Sequence, residues 1–229
     1  MYVPRPTMPD MASVFMLASW FALGSAVSPS TVEPLTHLRI VLSVDGRLPP
    51  AVAAEAVKET ADLWAPYAVT ISALPPGCTS WSSGVATVLP VRLDGGRRNA
   101  DAWNSPFGAV TFPPSGVPEQ TIWVFYEAIT RLSALVPVLG LRDWQQVPGL
   151  RDRVLGRIVG RVIAHEIGHI LLRTPRHSTI GLMRAVQRTE DLVGPSRDRF
   201  TLTAADVARL RDVSARYSRV TAAEGAARE

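Results

Sequence analysis

Three of the four histidines fall within thirteen residues, as His165-Glu166-Ile167-Gly168-His169 followed by His177. Neutral imidazole is a metal ligand, and residues four apart on a helix share one face about 6 Å apart along the axis. His165 and His169 can therefore turn their rings toward one tetrahedral ion. Glu166, beside the first of them, can reach a water activated there without ligating the ion, which is the position of a general base. A catalytic zinc takes three protein ligands and leaves one position open. His177 is the candidate third ligand, because Pro175 disfavours helical geometry at the residue before it and His177 arrives just after that break. The chemistry this set allows is hydrolysis of a peptide bond by an activated water, with Zn2+ as cofactor and no covalent intermediate. A closed, structural site in a non-catalytic zinc-binding protein is the other use of the same residues.

The motif works only on a helix, and its surroundings supply one. From Leu150 to Leu172, Val154, Leu155, Ile158, Val159, Val162, Ile163, Ile167, Ile170 and Leu171 recur at helical spacing. Gly156, Gly160 and Gly168 lie inside it at about 1 kcal/mol each relative to alanine, which predicts close packing of this helix against a sheet. Upstream, Leu38–Val44 alternates and is rich in β-branched residues, as a strand is, and Pro50–Trp64 has the period of an amphipathic helix. Ala68–Leu74 and Val85–Leu93 read as further strands, the latter interrupted by Pro90. Phe107–Phe112, bracketed by prolines, belongs at a sheet edge, whereas Thr121–Phe125 has the apolar character of a buried central strand. Arg142–Pro148 is a connection anchored by Trp144. Thr203, with Asp206 three residues on, caps a final helix, and 216–229 reads as a flexible tail.

With 229 residues, 47% hydrophobic and 19% charged, the chain suits one folded domain and excludes general disorder. No apolar run reaches the length of a membrane span. The lone Cys78 excludes a disulfide framework, a four-cysteine zinc site and an iron–sulfur cluster. It lies outside any removable segment, which argues against an inhibitory thiolate. The net charge of +4 comes from scattered arginines and Lys58 interleaved with acids, so no nucleic-acid partner is expected. Residues 14–23, VFMLASWFAL, followed by Gly24, Ser25 and Ala26, have the layout of a secretory signal. The expected division is a signal peptide at 1–26, a linker at 27–37, one catalytic domain at 38–215 and the tail. A secreted or periplasmic product, free of the membrane after cleavage, follows from that division, with a cytoplasmic protein as the alternative.

The stretch HEIGHILLRTPRHSTIGLM, residues 165–183, resembles the active-site signature of metzincin zinc metalloproteases, particularly the matrixin-like form. The resemblance implies an α+β fold: a twisted mixed sheet of about five strands, a backing helix, an active-site helix and a small C-terminal helical part. It implies a zinc ion held by His165, His169 and His177, Glu166 as base, and Met183 in a tight turn beneath the metal. It also places the sheet's edge strand along the cleft, where Gly108, Ala109 and Val110 pair with an extended peptide or protein substrate. The small Gly108 and Ala109 would allow close approach. Two positions depart from the family. Leu172 stands where the family has glycine, and Pro175 stands at the ligand position, so that His177 comes two residues later. Glu190 stays open as third ligand, at a separation that looks like the gluzincin arrangement. HEIGH followed by leucines is similar too to regulatory metallopeptidases that act on repressors. Tyr126, Tyr217 and Arg184 are the candidate oxyanion partners.

Overall fold

The computed structural model describes residues 37–75, 78, 86–94, 106–137 and 149–226, with side chains as far as residue 216. The chain divides into Met1–Glu33 and Pro34–Glu229. The first unit, with the expected signal at 1–26 and most of the 27–37 linker, lies outside the described residues, as does Trp144.

Strand β1 (Leu38–Val44) is the middle of a parallel group, pairing with β2 (Val69–Ala73) on one side and β3 (Ala86–Leu93) on the other. Beyond β3 come β4 (Gly108–Ala109) and β5 (Ile122–Val124). The spatial order is β2-β1-β3-β5-β4, with β5 parallel to β3 and β4 antiparallel at the edge. The fold is α+β with a five-stranded mixed sheet.

Three strand expectations need correction. Pro90 does not interrupt β3, because it lies in register with Ser43 of β1. Val91 turns its carbonyl toward the β1 side, to the Asp45 N–H, so alternation puts the Pro90 nitrogen on the far side, before β5 begins to pair at Val91. No ladder bond is lost there. The edge strand is Gly108–Ala109 alone, and Val110 lies beyond it. Strand β5 buries Ile122 and Val124 but leaves Trp123 38% exposed, so it alternates where a continuously buried strand was expected.

Helix α1 (Pro50–Trp64) starts with proline in its first turn, where a missing N–H costs nothing. Helix α2 (Tyr126–Leu135) follows β5 directly and was not expected from the sequence. Helix α3 (Leu150–Leu172) carries the histidine motif and is buried around most of its circumference. Helices α4 (Thr189–Val193) and α5 (Ala204–Ala226) complete the chain, α5 running through the region expected to be a flexible tail. One apolar cluster joins Ile40, Leu42, Leu89, Val91, Ile122 and Val124 of the sheet to Val52, Ala56 and Trp64 of α1 and to Ile158, Ile163 and Ile167 of α3.

Of the glycines of α3, Gly156 and Gly160 serve α1 rather than the sheet. A Cβ on Gly156 would lie 2.5 Å from Glu55 Cβ, and one on Gly160 would lie 2.6 Å from the Ala56 carbonyl oxygen. Across this contact Thr60 Oγ1 donates to the Gly160 carbonyl at 3.0 Å and Trp64 Nε1 to that of Ala164 at 3.2 Å. Glu59 of α1, 1% exposed, accepts from Arg161 at 2.8 Å and from Arg197 at 2.6 Å. Arg161 also donates to the carbonyls of Asp191, Leu192 and Ser196 and lies over the Phe200 ring at 4.5 Å. The buried guanidinium thus ties α4 and the 196–200 segment to the helix that carries the motif.

Candidate metal centre

His165 and His169 project from the last turns of α3, and the way that helix ends brings His177 to them. Arg173 closes it in the left-handed region, at φ 47°, with its N–H shared between the His169 and Ile170 carbonyls. Thr174 N–H bonds back to the His169 carbonyl at 3.3 Å. After this reversal the His177 ring stacks at 17° on His165, centroids 5.2 Å apart, and lies 4.9 Å from the His169 ring. One nitrogen from each of the three rings falls within 4.8 Å of the others.

Two of the rings are oriented by backbone carbonyls. His165 Nδ1 donates to Leu182 O and His169 Nδ1 to Thr174 O, each at 2.7 Å. A carbonyl only accepts, so Nδ1 carries the proton in both rings and each Nε2 presents a lone pair. These two Nε2 atoms face each other at 3.0 Å. Facing lone pairs repel unless a cation lies between them, and a tetrahedral ion with bonds near 2.0–2.1 Å spaces its nitrogens by about 3.3 Å. Burial lowers the His165 pKa to about 4 and lowers that of His169, which keeps both rings in the neutral form that ligates. The donor set therefore fits a metal ion.

Glu166 is 5% exposed and has no hydrogen-bond donor among the described residues; burial pushes its carboxyl up to about 8. A carboxyl that exchanges its proton near neutral pH suits general acid–base work. Strand β4 crosses close by: a Cβ on Gly108 would meet Val162 Cγ1 at 2.5 Å and Glu166 Oε1 at 3.0 Å. The missing side chain of Gly108 thus makes room for α3 and its glutamate. Ala109 and Val110 are half-buried.

Met183 is buried in the turn Gly181–Arg184, closed by Arg184 N–H to Gly181 O at 3.3 Å. Gly181 takes φ 78°, and a Cβ there would lie 2.2 Å from Thr201 O, so only glycine fits. The Met183 sulfur packs against Gly168, the residue before His169. The neighbouring Leu182 supplies the carbonyl that orients His165. Turn and histidine helix are one unit.

The other candidates stand apart. Glu190 is exposed on α4 and lies outside the histidine group. Arg184 is engaged with Asp191 at 3.5 Å. Tyr126 opens α2, and the Tyr217 side chain lies outside the described residues. Cys78 is exposed and is not part of the group.

Compared with known proteins, the chain matches no family model, no curated protein and no solved structure. The reading of the centre rests on its own geometry. Sequence reasoning missed the residues that hold the ligands: the carbonyls of Thr174 and Leu182, which carry no side-chain signal, and the contact of Asp206 with Ser178. Only the Thr203–Asp206 spacing was visible beforehand.

Proposed function

We propose that the protein is a zinc-dependent endopeptidase of metzincin-like type. The observation that carries the proposal is the convergence of three imidazoles beside a buried carboxyl group that accepts no hydrogen bond among the described residues. Zinc held by His165, His169 and His177 would supply Lewis-acid polarisation of the scissile carbonyl and acidify water. Glu166 takes a proton from the attacking water as the new C–O bond forms, then delivers it to the amide nitrogen as the C–N bond breaks. The backbone of Gly108 and Ala109 forms the sheet edge, with Val110 just beyond it, and an extended peptide could add there as a further strand. The five-stranded sheet with one antiparallel edge strand and the buried Met183 turn support the likeness to metzincins.

The test is peptide-library hydrolysis with metal content measured on the same samples. Glu166→Gln is expected to lower turnover by about 10²–10⁴-fold with zinc retained, and His177→Ala to lose both. Activity unchanged in Glu166→Gln would leave a non-catalytic zinc protein. Export is part of the proposal, and a product starting near Val27 by mass spectrometry checks it.

A further inference from the structure

His165 and His169 each have a backbone carbonyl on Nδ1, but among the described residues no hydrogen bond is made by the His177 ring. His177 is also exposed and lies on a turn rather than on α3. An exposed imidazole without such a partner would sample several rotamers, and a metal ligand that must be gathered from them binds more weakly. Something must fix its backbone instead.

The residue that does so is Ser178. Its N–H donates to the Met183 carbonyl at 2.8 Å, and it forms a bridge with Arg184, tying the stretch to the methionine turn. Its hydroxyl donates to Asp206 Oδ2 at 3.2 Å. Asp206 is 6% exposed and sits in the first turn of α5. The same Oδ2 accepts from Thr203 N–H at 3.2 Å and from Thr203 Oγ1 at 2.7 Å, while Asp206 N–H donates to Thr203 Oγ1 at 3.2 Å. This is a reciprocal cap on α5. One buried oxygen therefore both starts the last helix and holds the residue next to the third histidine.

We propose that Asp206 and Ser178 are positioning residues for His177, so that the start of α5 sets the metal affinity of the centre. The proposal rests on the three-histidine reading above. Ser178→Ala removes the tie to Asp206 and leaves both the Ser178 N–H bond and the α5 cap in place. Thr203→Ala weakens the cap and leaves the tie.

The experiment is zinc affinity by chelator competition, with the visible spectrum of the Co2+-loaded protein and the thermal midpoint measured alongside. Ser178→Ala and Asp206→Ala are expected to weaken zinc binding by about 10–100-fold and to alter the Co2+ bands that report its ligand geometry. Ser178→Thr, which restores a hydroxyl, is expected to recover most of the affinity. Thr203→Ala is expected to lower the midpoint with zinc affinity and Co2+ spectrum unchanged. Wild-type affinity in Ser178→Ala overturns the proposal while the three-histidine reading stands. Affinity that falls in step with the thermal midpoint across all the variants, Thr203→Ala included, also overturns it, because the effect is then loss of fold. A wild type that binds neither zinc nor Co2+ overturns the three-histidine reading and this proposal with it.

Discussion

Arg173 occupies a backbone conformation that suits glycine, at φ 47°, on the turn that carries the chain from the second histidine to the third. A β-carbon in the left-handed region costs roughly 1–2 kcal/mol, set against the greater freedom glycine has in the unfolded chain. Arg173→Gly is therefore expected to raise stability by about 1 kcal/mol and the thermal midpoint by roughly 2–4 °C, read by calorimetry. The side chain is exposed and its guanidinium holds none of the three rings, so zinc affinity is expected to stay the same. The strain marks where this chain departs from the resemblance. The reversal falls on the residue after Leu172, which stands at the family's glycine position. The helix thus includes that position as its last residue, and the turn that follows is long enough to bring His177 back.

At the scale of elements, the contact between α1 and α3 decides where the histidine helix lies. Gly160 faces the Ala56 carbonyl, a backbone atom that cannot rotate aside. Gly160→Ala gains helix propensity but must push the two helices apart, and a net loss of about 1–3 kcal/mol is expected by urea titration. A gain in stability would show that the helices have slack. The first two elements and α3 were legible because their apolar spacing persists over enough residues to set the period. Helix α2 was not, because Phe125 precedes it with no side-chain cap and a polar Ser133 takes one of its buried positions. The prolines around Phe107–Phe112 correctly indicated an edge, but the length of β4 depends on how much of β5 is there to pair with. Only two residues of β4 find partners. In the site, His165, Glu166, His169 and His177 could be named from spacing alone. Their supporting carbonyls could not, since any residue offers one, and the use of Gly156 and Gly160 against α1 depends on a partner helix a hundred residues away in the chain.

For the whole molecule, the acid limb of stability has an identifiable contributor at the end of β1. Asp45 is held well below the usual carboxylate range, foremost by the Arg47 side chain, against burial, and with help from the N–H groups of Arg47 and Leu93. The unfolded chain therefore takes up this proton first as pH falls. The stability the group contributes is complete above its unfolded pKa of about 4 and declines below it, toward the lower folded value. Urea midpoints between pH 6 and pH 2 are expected to fall less steeply in Asp45→Asn than in the wild type below about pH 4. A different consequence follows from how far apart the joined segments lie. Thr60 meets Gly160 and Glu59 meets Arg161 across 100 and 102 residues, whereas the three histidines span only thirteen. Closing the longer loop costs about 2 kcal/mol more in chain entropy than closing the shorter one. The three histidines are therefore near one another in the chain before the helix that carries two of them has found its partner, and under the proposed zinc reading the unfolded chain would keep some hold on the metal. Zinc present from the start of refolding is then expected to favour early local compaction around the histidines. Zinc supplied after the two helices have met would find them already arranged.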